Sequence, residues 1–165
     1  MKKLLLGVGI LIVGLAWYAF RPERAFISQR VNEQFPTALA GSNAPVKLAL
    51  GQFHSGAHET KGTAMILQGS EGQRTLRLTN FETSNGPDVR VYLVAAPDAK
   101  DSETVKSAGF IELGSLKGNI GDQNYDIPTT VDLNKYRAVT IWCARFSVNF
   151  GTAPLMNDSM QAMTR

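Results

Sequence analysis

From residue 46 onward, apolar and polar residues alternate in short runs broken by Gly, Asn, Asp and Pro, and no window sustains a helical period. Strands are predicted at 63–68 and 74–81, flanking Gly69-Ser70-Glu71-Gly72-Gln73 as a hairpin with a five-residue loop. Leu76 and Leu78 share one face of the second arm while Thr75, Arg77 and Thr79 share the other, so one side meets water. Val89, Val91, Leu93 and Ala95 alternate with Arg90 and Tyr92 in a third strand, opened by the turn residues Asn85-Gly86-Pro87-Asp88. Residues 97–108 are polar and loop-like, with a helical turn over 98–106. Further strands at 111–117, 124–127, 138–144 and 146–150 bring the set to about eight to ten. The expected fold class is all-β, a sandwich or partly open barrel of antiparallel strands.

The stretch from 138 to 150 breaks the alternation. Val139, Ile141 and Cys143 have one parity and Phe146, Val148 and Phe150 the other. A regular strand cannot bury both sets, so a β-bulge or sharp bend is predicted near Ala144-Arg145, with Cys143 beside it.

The front of the chain reads differently. Residues 4–20 carry no charge and would form a helix of roughly 25 Å, close to a bilayer core of about 30 Å. Trp17 and Tyr18 suit the headgroup level. A cleaved signal peptide is the alternative, but Ala16-Trp17-Tyr18-Ala19 sets a bulky indole where a small residue is needed, and no lipid-accepting cysteine follows. The expectation is an uncleaved transmembrane helix, with the membrane contacted through residues 4–20. The Met-Lys-Lys start resembles a secretory n-region that stays in the cytoplasm, which sends the domain to the periplasmic or extracellular side. Ile27, Val31 and Phe35 recur every fourth residue, one apolar stripe on a short helix or stalk ended by Pro36, and 40–45 is small and turn-prone. The organisation expected is an anchor with flanks at 1–24, a stalk and linker at 25–45, a β domain at 46–156 and a tail at 157–165.

Charge adds one exclusion. Lys2, Lys3, Arg21 and Arg24 against Glu23 account for the whole formal charge of +3, leaving the rest of the 165 residues neutral. With no basic stripe, nucleic acid is not an expected partner.

Candidate chemistry centres on Cys143, the single cysteine, which can form no internal disulfide in an oxidising compartment. It reads as a redox thiol, a metal or haem ligand, or a small buried hydrophobe. Its neighbours Trp142 and Arg145 offer an aromatic wall and a cation favouring thiolate. His54 and His58 are four apart in a Gly-containing segment that is not helical, a poor metal pattern, and surface or turn roles fit each. A mixed site of His58 with Cys143 would favour copper over magnesium or calcium. The glycines at 114, 118 and 121 read as turns rather than a phosphate loop, and Met156, Met160 and Met163 as tail residues rather than copper ligands. No residue set supports hydrolase or transferase chemistry.

Several separated motifs occur in order: Gly51 and Phe53; Gly86-Pro87-Asp88 then Val91-Tyr92-Leu93; Leu116-Lys117-Gly118-Asn119 with Gly121, Gln123 and Tyr125; Ile141-Trp142-Cys143; and Phe150-Gly151 with Ala153 and Leu155. In these the chain resembles the DM13 domain family over residues 50–155. The resemblance implies a β-sandwich-like extracytoplasmic module, found also beside DOMON domains in animal proteins. It implies a redox or electron-transfer role centred on the family's cysteine, here Cys143; Trp142, Tyr125 and His58 are the candidate neighbours of such a site in this sequence. The cofactor stays open between copper and haem. As the domain has no DOMON or cytochrome unit beside it, a separate protein redox partner is expected. The rival expectation is a non-catalytic module whose loops bind a glycan, a peptide or an envelope protein.

Overall fold

The computed structural model describes residues 2–20, 27–36 and 44–157, and within 2–20 the side chains of residues 7–18. Among the described residues, two antiparallel sheets pack face to face. One sheet orders its strands β1 (Val46–Gln52), β3 (Lys61–Gln68), β4 (Arg74–Glu82) and β7 (Gln123–Ile127); the other orders β2 (His54–Ser55), β9 (Val148–Pro154), β8 (Ala138–Cys143), β5 (Val89–Val94) and β6 (Phe110–Ser115). The sandwich expected from the alternation is therefore present. Its core fills from both inner faces: Ile66, Leu76, Leu78 and Phe81 from the first sheet meet Val91, Leu93, Val139 and Ile141 from the second.

In β4 the even positions Leu76 and Leu78 point inward, yet so does the odd Phe81. Asn80, with φ at 49°, absorbs the change of parity opposite a register shift in β3, a local geometry that Asn tolerates better than most residues. Strand β8 is buried along its whole length, because helix α2 (Ser102–Ala108) and the preceding loop cover its outer face. This explains its nearly unbroken apolar run. The helix lies a few residues later than the predicted turn, and Asp101 caps it by accepting a hydrogen bond from the Thr104 amide at 2.7 Å.

The predicted bend beside Cys143 is a different structure. Residues 144–147 form a hairpin turn, with Ser147 at φ 54°, and Cys143 pairs with Val148 across it. The register shift lies further on, where Ile141 faces Gly151 and Trp142 faces Asn149, so Phe150 is the extra residue. Phe146, predicted to be core, is 66% exposed in the turn. A turn and a bulge together produce the parity change that sequence assigned to one kink.

One correction concerns the front of the chain. Ile27, Val31 and Phe35 do not form a helical stripe: the described residues 27–36 are an extended strap, in which the Val31 amide donates to Ile120 O and the Glu33 amide to Asp122 O, both at 2.9 Å. Arg30 and Ile120 form a parallel bridge. These strand-like bonds to the domain replace the i to i−4 bonds of a helix. The expected N-terminal helix is present as α1 (Lys2–Phe20), yet among the described residues no helix is long and apolar enough to cross a membrane. Its 19 residues rise about 28 Å.

Candidate functional site

Strand β8 sends Cys143 and Trp142 to opposite faces of its sheet, as consecutive residues must go. Cys143 is fully buried in the sandwich interior with Val89, Val139, Ile141 and Phe150. Trp142, 5% exposed, belongs to the outer cluster under α2. There it faces Tyr92 at 6.2 Å between ring centroids, and Tyr92 stacks on Phe110 at 4.2 Å with planes 3° apart. Phe110 is 44% exposed, so this row of rings runs from beneath α2 to the surface. Burial, with the carboxylate of Glu112 nearby, holds the Tyr92 phenol above its usual pKa. Arg145 is exposed in the turn rather than set beside the thiol.

The other predicted residues lie apart. His58 packs its ring on Phe150 at 3.9 Å, on the rim of the sandwich, and the contact it makes is aromatic. His54, read as a surface residue, places Nε2 at 2.8 Å from Asp98 Oδ1. Tyr125 shares the interior cluster with Cys143 but stands on the opposing sheet, in β7. Its hydroxyl donates to Gln123 Oε1 at 2.8 Å and accepts from the Lys117 amide at 3.1 Å. Burial raises its pKa well above the ordinary tyrosine range, so it is a fixed structural donor. Cys143 and Tyr125 are thus brought into one interior, while Trp142 and His58 are not.

A copper or haem site on Cys143 does not fit these residues. The thiol lies among apolar side chains, and among the described residues no group of three or more His, Cys, Asp or Glu could hold a metal ion. A copper centre needs several converging donors and a haem needs an open pocket beside its axial ligand; Cys143, fully buried among packed side chains, is offered neither by the described residues.

Sequence reasoning missed the most highly organised polar region, the loop between β6 and β7. Gln123 is 0% exposed on the inner face opposite Leu78. Its Oε1 accepts from the amides of Lys117 at 3.1 Å and Gly118 at 3.2 Å, and its Nε2 donates to Gly118 O at 2.7 Å. Asn119 extends the arrangement by donating to Thr83 O at 3.1 Å and accepting from the Gln29 amide at 2.7 Å. Between this loop, the strap and the turn before β5 lies a cleft of about 540 Å³, lined by Ser28, Asn85, Gly86, Asp88 and Asn119 among others. The signal was in view: Gly86-Pro87-Asp88 and Leu116-Lys117-Gly118-Asn119 are widely separated stretches that the fold brings to one opening.

The family profile described as "Electron transfer DM13" matches residues 52–155. The chain belongs to the DM13 family. The match spans both sheets, from the end of β1 through β9, and leaves out α1 and the strap. No curated protein and no solved structure matches the chain.

Proposed function

We propose that this DM13 chain is an electron-transfer module held on the outer side of a membrane by its N-terminal helix, working with a separate redox protein. The observation that carries the redox part is the family match across nearly all of the sandwich. The support for attachment is the uncharged run at 4–20, together with the exposure of every residue from 7 to 18, which leaves an apolar helix surface to be covered by lipid.

Within the domain, the oxidisable groups best arranged to pass an electron are Trp142 and Tyr92, with Phe110 carrying the stack outward. In each turnover Trp142 gives one electron to a high-potential one-electron oxidant, such as the ferryl haem of a partner protein, and becomes an indole radical cation while the ferryl iron is reduced; a reductant at the surface refills it through the ring stack. Cys143, one residue away on the apolar interior face, takes no step in this transfer and is not a metal ligand.

Photo-oxidation of the full chain with a ruthenium(III) complex, in a Trp17→Phe background that leaves Trp142 as the sole indole, tests this. The expected result is a transient tryptophan radical that Trp142→Phe abolishes. A folded protein in which Trp142→Phe changes nothing would remove the relay. Alkaline carbonate extraction of cell membranes tests attachment: retention in the membrane pellet is expected, and release into the wash overturns the anchor.

A binding role is the second reading, favoured by the cleft at which the family motifs converge. Closing it with Asn85→Phe would abolish ligand binding while leaving Trp142 photochemistry unchanged, which separates the two readings.

A further inference from the structure

The strap is held more specifically than a spacer requires. Its backbone adds a short parallel pairing to the loop, with the Gln29 carbonyl accepting from the Ile120 amide at 3.3 Å and the Val31 amide donating to Ile120 O at 2.9 Å. Along it, Arg30, Asn32 and Gln34 are exposed while Val31 and Glu33 turn toward the domain, the alternation of an added strand.

Each inward feature has a receiver. A Cβ on Gly118 would lie 2.5 Å from Gln29 O, and one on Gly121, at φ 104°, would overlap Val31 O, so the floor under Val31 admits only glycine. Glu33 accepts from Lys117 Nζ at 2.7 Å through one oxygen and from the Asn124 amide at 2.7 Å through the other. Arg77 donates to the carbonyls of Glu33 and Gln34 at 3.3 Å and lies 5.8 Å from the Phe35 ring centroid. That guanidinium is already fixed by Asp122 at 2.7 Å and Asn124 Oδ1 at 2.9 Å, both on the domain. The Asn124 side chain closes the far end by donating to Gln34 O at 2.9 Å.

Two further observations separate receiver from occupant. No residue of the strap belongs to either apolar cluster, so the core closes without it. The family match includes every receiving residue and none of the strap. We propose that Arg77 and residues 117–124 form a recognition groove for an extended peptide, and that residues 29–35 of this chain are its resident ligand. The peptide it takes has a β-branched apolar residue, a carboxylate two positions later and an aromatic ring two positions after that. Backbone pairing supplies affinity, and the glycine floor with Lys117 and Arg77 supplies selectivity.

The test uses the full chain with its own strap unseated by Val31→Asp and Glu33→Ala, and a fluorescent peptide of residues 27–36 as probe. The expected result is an unchanged β-sheet circular dichroism spectrum and saturable binding of the peptide. Adding Lys117→Glu to that chain should weaken binding at least about tenfold, and the Glu33→Lys version of the peptide should recover it. Loss of the β-sheet spectrum on unseating the strap would make it part of the fold and overturn the proposal. So would a folded chain that binds no peptide at about 1 mM, or binding indifferent to Lys117→Glu.

Discussion

Tyr125 and Gln123, two residues apart on one face of β7, are joined by a 2.8 Å hydrogen bond that lies wholly inside the protein. Gln123 also ties the loop that precedes it, so one buried amide links the core to the cleft and to the groove under the strap. Gln123→Leu leaves the Gly118 amide and carbonyl without their buried partner and the Lys117 amide with the Tyr125 hydroxyl alone. A loss of about 3 kcal/mol is expected in urea unfolding, against about 1 kcal/mol for Tyr125→Phe, which removes a hydroxyl whose two partners keep their bonds to each other.

Gly121→Ala addresses the same loop from its backbone. The left-handed φ and the overlap with Val31 O act together. About 2 kcal/mol or more of destabilisation is expected. The effect should shrink in a chain whose strap is already unseated, and a double-mutant cycle measures that coupling.

Glu33 gives the strap a pH dependence. Burial raises its pKa, but the bonds from Lys117 and Asn124 and the charge of Arg77 outweigh it, so the carboxyl lies below its ordinary 4.5. A depressed folded-state pKa stabilises the seated strap fully above about pH 4.5, and that stability is lost as pH falls through the lowered value. Hydrogen exchange at the Val31 and Glu33 amides should therefore accelerate selectively in acid. In Glu33→Gln the exchange should show no such acid dependence beyond the intrinsic rate.

Cys143 should be chemically silent while the sandwich is closed. A maleimide reagent is expected to label it only in denaturant, because the residue is fully buried. Cys143→Ser brings a hydroxyl into an apolar cluster and should cost about 2 kcal/mol, more than Cys143→Val, which keeps the site apolar. Rapid labelling of the native protein would show that the interior opens on the experimental timescale.

Much of this was legible in the chain. Leu76 and Leu78 gave their strand and its inner face because the two sides of β4 differ in polarity, and the hairpin loop at 69–73 fell where its glycines put it. The family resemblance, resting on motifs spread from Gly51 to Leu155, agrees with the matched span. Other features were hidden for physical reasons. The bulge at Phe150 depends on pairing with β8, so parity alone misplaced it by several residues. The strap shows four-residue apolar spacing but is extended, because its backbone finds partners 90 residues away rather than within itself. Trp142 and Cys143 were grouped as sequence neighbours, although alternation along a strand guarantees that they face apart. Glu33 and Lys117 carry no local signature, since only the fold makes them adjacent.

The paired bonds between Leu50 and Met156, each 2.9 Å, join strand β1 of one sheet to the chain leaving β9 of the other. The outer rim of β1 is thereby occupied at its middle, where a bare edge would offer amides and carbonyls to a neighbouring molecule. A chain shortened to end at Leu155 would lose that cover, and its failing would be colloidal before it was chemical: self-association at concentrations the intact protein tolerates.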